Sequence, residues 1–196
     1  YYSTRGYLKV DTRDDAYFPK KGGFFNGNIE YVFSQKSPTD FGSFSPFMVG
    51  KATMGVTLPL LQKWTLSLNT MGGFTIHNPN TPTFDFLIGG YGNAPLLNYQ
   101  SFIGLPQQHT GADSVVKGEM IFDYEFISNH HAALKIHAGV VSDDIFANGK
   151  WVSTPNYFGT GLAYGLDTFA GPLECMAAYS PQYDKLLYHV SIGWRF

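Results

Sequence analysis

The chain has 196 residues, 44% of them apolar, which is enough for one domain with a substantial interior. Its formal net charge of −2 excludes a strongly basic nucleic-acid binder, and charged residues, at 14%, fall far below the roughly 25% of ordinary soluble domains. Aromatics are abundant instead, with 17 Phe and 13 Tyr beside 22 Gly. No apolar run approaches the ~18 residues of a membrane helix. The single Cys175 cannot close an internal disulfide. Residue 1 is Tyr and no export signal precedes it, so an exported protein of this kind would have to begin upstream.

Alternation of apolar and polar residues predicts nine strands. The first, about 5–13, sets Leu8, Val10 and Thr12 against Tyr7, Lys9, Asp11 and Arg13, and a Pro- and Gly-punctuated turn follows at 14–23. The second, about 24–34, groups Phe25, Ile29, Tyr31 and Phe33 opposite Asn26, Asn28 and Glu30. After a Ser- and Pro-rich loop, the third (about 49–60) and fourth (about 64–76) are joined by a few residues around Gln62 and Lys63. They align Ala52, Met54, Val56 and Leu58, then Trp64, Leu66 and Leu68 against Thr65, Ser67 and Asn69. A long connector, 77–113, leads to the fifth (about 114–127), where Val116, Met120, Phe122, Tyr124 and Phe126 oppose Lys117, Glu119, Asp123 and Glu125. A short turn at Ser128-Asn129-His130 precedes the sixth (about 131–141), with Leu134, Ile136, Ala138 and Val140 against Lys135 and His137. A loop over 142–156 leads to the seventh (about 157–168), and an Ala170-Gly171-Pro172 turn to the eighth (about 173–180). The ninth, 187–196, places Tyr188, Val190, Ile192, Trp194 and Phe196 on one face.

Strands of this length, each with one apolar face, joined by alternately short and long connectors, are the pattern of an all-β transmembrane antiparallel β-barrel. Lipid offers no hydrogen-bond partner, so only a closed sheet crosses it. A soluble sandwich or lipocalin-like barrel would have to fit all the aromatics of the apolar faces into a small close-packed interior. In a membrane barrel the turns at 14–23, 61–63, 128–130 and 170–172 are periplasmic and the long loops extracellular. Nine antiparallel strands cannot close on themselves without one like-directed pair, and an open sheet would leave its edges to lipid. The chain is therefore expected to be the C-terminal part, 1–196, of one larger outer-membrane barrel domain. The remaining strands would come from the same or another chain.

Three stretches carry a family likeness. Val10-Asp11-Thr12-Arg13-Asp14-Asp15-Ala16-Tyr17-Phe18-Pro19-Lys20-Lys21-Gly22 resembles the strand-and-turn motif of the bacterial surface-antigen superfamily. That superfamily includes assembly barrels, two-partner-secretion translocators and the barrels of patatin-like phospholipases. Leu87-Ile88-Gly89-Gly90-Tyr91-Gly92-Asn93 stands where it has a lumen-inserted loop, and Gly171-Pro172 through Phe196 is similar to its closing hairpin. The resemblance implies the last nine strands of a sixteen-stranded barrel. The run Gly89 to Asn93, with Asn98 through Pro106 and Asp143 through Trp151, looks most like Bacteroidetes barrels fused to patatin-like phospholipases. Assembly barrels carry an Arg in the inserted loop; here Gly89 or Gly90 takes its place before Tyr91. The implied role is to anchor, and to export or position, an upstream phospholipase domain; the alternatives are an insertion or secretion translocator and a passive barrel. Implied partners are outer-membrane lipid and the barrel assembly machinery, which would read the terminal Phe196.

The chain contains no Gly-x-Ser-x-Gly elbow, so no catalytic residue is assigned. The six His residues lack zinc-ligand spacing, with His130 and His131 read as turn residues, and no metal or cofactor is expected. The glycines 89, 90 and 92 open no helix and do not form a phosphate loop. Asp11, Arg13, Lys117, Glu119, Asp123 and Lys135 are read as a polar lumen wall of ion pairs. Trp64, Tyr188 and Trp194 are read as girdle and lipid-facing aromatics. The connector 77–113 far exceeds the ~12–15 residues usual for unstructured loops, and it is too rich in Phe, Leu, Ile and Tyr to lie in water. It is expected to fold back into the barrel, bringing Tyr91 to the wall near Glu119, Asp123 and Lys135.

Overall fold

The computed structural model describes residues 1–34, 44–77, 84–92, 98–146 and 149–193. Nine long strands form one sheet. In chain order the strands are β1 (Tyr2–Asp11), β2 (Gly22–Ser34), β3 (Phe47–Leu61), β4 (Trp64–Ile76), β5 (Phe86–Ile88), β6 (Tyr99–Gln100), β7 (Thr110–Ala112), β8 (Ser114–Ile127), β9 (His130–Val141), β10 (Tyr157–Leu166), β11 (Leu173–Ser180) and β12 (Lys185–Ile192). The main sheet runs β1-β2-β3-β4-β8-β9-β10-β11-β12 with every pair antiparallel, and β6-β5-β7 form a separate small sheet. Within the described residues β1 and β12 are the edges.

The two faces of the large sheet differ as the alternation requires. Leu162, Tyr188, Val190 and Ile192 are 68%, 78%, 65% and 72% exposed, while Lys117, His131, Lys135 and His137 on the opposite face are buried. Water-soluble sheets do the reverse, with charge outside and apolar residues inside. Most of the polar face is buried by the connector between β4 and β8. Its Phe84 packs on Phe47 of β3 (4.4 Å between ring centroids) and its Phe86 lies over Gly73 of β4. Its Phe102 and Ile103 lie on Gly139 of β9 and Gly159 of β10, Gly104 abuts Tyr179 of β11, and Tyr91 meets His189 of β12 (4.9 Å). This one connector touches strands from β3 to β12, so the sheet must curve around it as part of a barrel wall.

Several boundaries differ from the alternation reading. β1 starts at Tyr2 and stops at Asp11 rather than 13, because Thr12 and Arg13 are drawn into the turn by bonds to Gly23 and Asp11. β12 begins at Lys185, two residues before the expected start. His130 and His131 are strand residues opening β9, since Asn129 at φ 67 completes a tight two-residue hairpin turn. The connector holds three strands of two or three residues, too short to show alternation. Asn93, Trp194 and Phe196 lie outside the described residues. No helix among the described residues is long and apolar enough to cross a membrane, which says nothing of crossing by strands.

Candidate functional site

The site is the interior of the curved sheet. Period-two alternation puts Lys117, Glu119 and Asp123 of β8 on the inner face, and the register sets Glu119 opposite His137 and Ile121 opposite Lys135. Each of these carboxylates has a hydrogen-bond partner. Glu119 accepts from His137 Nε2 at 2.9 Å and from Asn69 Nδ2 at 3.3 Å. Asp123 pairs with His131 Nδ1 at 2.7 Å, and Lys135 Nζ with Glu174 Oε2 at 2.6 Å. Near the rim, Arg13 makes a two-point contact with Asp11, its Nε at 3.0 Å and its Nη2 at 2.7 Å. An isolated charge in so enclosed a place would be costly, which accounts for the pairing.

The inserted connector is shaped by glycines. Gly89, Gly90 and Gly92 have φ of 131°, 59° and 110°, backbone that L side chains rarely adopt. With no side chains in the way, Gly90 N–H donates to the carbonyls of Leu105 (2.8 Å) and Pro106 (3.1 Å), while its own carbonyl accepts from Phe102 N–H at 2.8 Å. The Tyr99 hydroxyl donates to the Gly89 carbonyl. The result is a compact knot with Phe86, Ile88, Phe102, Ile103 and Leu105 fully buried.

Three bonds fasten this knot to the wall. Lys117 Nζ donates to the Ser101 carbonyl at 2.9 Å. The Ile103 N–H donates to His137 Nδ1 at 3.3 Å, which leaves the imidazole proton on Nε2, where it is given to Glu119. The Tyr91 hydroxyl accepts from Lys135 Nζ at 2.5 Å, with the ammonium also 4.8 Å from the ring centroid. Of the three expected neighbours of Tyr91, only Lys135 touches it by hydrogen bond; Glu119 and Asp123 are taken by His137 and His131. The hydrogen bond Tyr91 makes there is therefore to a cation.

Alternation alone did not single out His131, His137 or Glu174, because a His or Glu on an inward register is an ordinary lumen residue until its partners are known. Beneath Tyr91 a cavity of about 450 Å³ is lined by Thr65, Ser67, Asp123, Lys135 and, at its far end, Phe18 of the β1–β2 turn. Among the described residues no cluster of three His, Cys, Asp or Glu is placed to hold a metal ion.

This architecture has solved counterparts. The chain superposes on the crystal structure of BamA from Haemophilus ducreyi lacking POTRA domains 1-3 with a TM-score of 0.70, at 14% identity, over 97% of this chain. It spans 41% of that chain, and at such identity the likeness concerns fold. No curated protein sequence matches it. The model of the OMP85 superfamily matches residues 1–196 from end to end, and the chain, a bacterial outer-membrane β-barrel, belongs to that superfamily.

Proposed function

We propose that residues 1–196 are the C-terminal part of one barrel domain that anchors and positions a patatin-like phospholipase carried upstream on the same polypeptide. The observation that supports it is the way the inserted loop is fastened. Where assembly barrels use an Arg at the loop tip, this chain has Gly89-Gly90-Tyr91, the sequence run most like the phospholipase-linked barrels, and the Tyr91 hydroxyl rests on the Lys135–Glu174 pair. A loop fastened at Tyr91, Ser101 and Ile103 suits a closed anchor better than an open pore. Residues Lys117, Glu119, Asp123 and Lys135 then act as the wall that holds the plug. Tyr188, Val190 and Ile192, with Trp194 and Phe196, form the closing-strand signal read during assembly.

The test is the sequence preceding Tyr1 in the parent polypeptide. A Gly-x-Ser-x-Gly elbow with a catalytic Asp is expected there, and its absence ends the phospholipase reading. The second reading is an insertion or secretion translocator, favoured by the close superposition on the BamA barrel. It requires POTRA-type periplasmic domains upstream and no hydrolase.

A further inference from the structure

The β1–β2 turn is built as a rigid finger. Asp15 Oδ1 accepts from the N–H groups of Tyr17 (2.7 Å) and Phe18 (2.8 Å), and Asp14 Oδ1 from those of Lys20 (2.9 Å) and Lys21 (3.2 Å). Thr12 and Gly23 close its base, the Thr12 N–H donating to the Gly23 carbonyl at 2.9 Å and the Gly23 N–H to Thr12 Oγ1 at 3.1 Å. So many side-chain-to-backbone bonds within one turn set its direction before any tertiary contact forms.

The finger does not lie against its own neighbours. Phe18 stacks flat on His131 of β9, with ring centroids 4.1 Å apart and planes 9° from parallel, and its ring fills the space left by Gly165 of β10. Lys20 Nζ pairs with Glu125 Oε2 of β8 at 2.7 Å. In the sheet order, β3, β4 and β8 stand between β2 and β9. At about 4.8 Å per strand that is roughly 19 Å along the wall. The turn reaches it as a chord across the lumen, at the end where outer-membrane barrels have their periplasmic turns.

Tyr17, Phe18 and Pro19 line one end of the lumenal cavity and Tyr91 the other. We propose that the β1–β2 turn is a second gate, closing the periplasmic mouth independently of the inserted loop, so that the barrel is sealed twice with a polar chamber between the seals. The inner seal is fixed by bonds that are buried or part-buried, whereas the turn's contacts with the far wall include a ring stack and a solvent-exposed ion pair, the latter a kind of contact that is readily released. The inference concerns the barrel alone and does not depend on what is attached upstream.

The experiment is conductance of the full parent polypeptide in planar bilayers, in a Cys175→Ala background. Removing residues 85–112 should raise conductance little, and adding Phe18→Ala should raise it several-fold further. Lys20→Cys with Glu125→Cys in the loop-deleted protein should conduct, lose current when bridged by a short bis-thiosulfonate, and regain it with reductant. If loop deletion alone opens the pore fully, or bridging leaves the current unchanged, the turn is not a gate. Should the deletion prevent folding, a single cysteine replacing Thr65 is labelled from the periplasmic side with the loop intact. Phe18→Ala should speed labelling several-fold in a barrel of normal heat-modifiable mobility; equal rates overturn the proposal.

Discussion

Lys135 is the residue on which the plug contact turns, because its ammonium is shared between Glu174 and Tyr91. Lys135 and Glu174 are 7% and 14% exposed, so removing the cation strands a carboxylate in a confined space. Lys135→Met is expected to cost about 3–5 kcal/mol, most of it recovered in Lys135→Met with Glu174→Leu. Urea unfolding of reconstituted protein measures both. Tyr91→Phe keeps the ring and loses the bond to the cation, an expected loss of about 1.5–3 kcal/mol. A second residue-scale prediction concerns Asp14, outside the membrane span. Burial pushes its carboxyl up, and the N–H bonds from Lys20 and Lys21 outweigh that, holding it below the usual Asp value. A depressed folded value means the stabilisation is present above about pH 4, the ordinary Asp value, and fades on acidification below it. Asp14→Asn should flatten that acid dependence in a pH series of unfolding midpoints.

At the scale of the element, β10 has an unusual inner face, Gly159, Gly161, Ala163 and Gly165, against an outer face of Phe158, Leu162 and Tyr164. The small side is where both inserted segments come closest, Ile103 against Gly159 and Phe18 against Gly165. Gly159→Val leaves no room for the Ile103 backbone and should displace the loop at about 1–3 kcal/mol of overpacking. The readout is faster labelling of a cysteine at Tyr91. On the outer face, Leu162→Arg places charge in lipid and should cost about 2–4 kcal/mol if near the midplane. The same strand is thus sensitive to added volume inside and to added charge outside.

At the scale of the whole molecule, a membrane barrel inverts the usual assignment of faces, and among the described residues the dry interior is the one the inserted loop creates. Phe86, Ile88, Phe102 and Leu105 form one part of it with Val32, Phe47, Val49, Met71 and Val115 from the wall, and Ile103 a second part with Ala163, Met176 and Ala178. Loss of Phe196 is expected to remove only about 1.5–3 kcal/mol of apolar burial. It should nevertheless sharply reduce surface levels by disturbing recognition during assembly. Normal levels and normal heat-modifiable mobility in the truncated protein would reject that.

Local alternation sufficed for the nine long strands and for which residues of a strand share a face, because a strand's side-chain period is a property of the backbone alone. The length and apolar content of 77–113 were likewise enough to expect burial of that connector. Neither the partners nor the crossings could be read that way. That Glu119 is taken by His137, that Lys135 holds Glu174 together with Tyr91, and that Phe18 lies on His131 all join residues dozens of positions apart. Such pairings depend on sheet curvature and strand order, which only the closed tertiary arrangement decides.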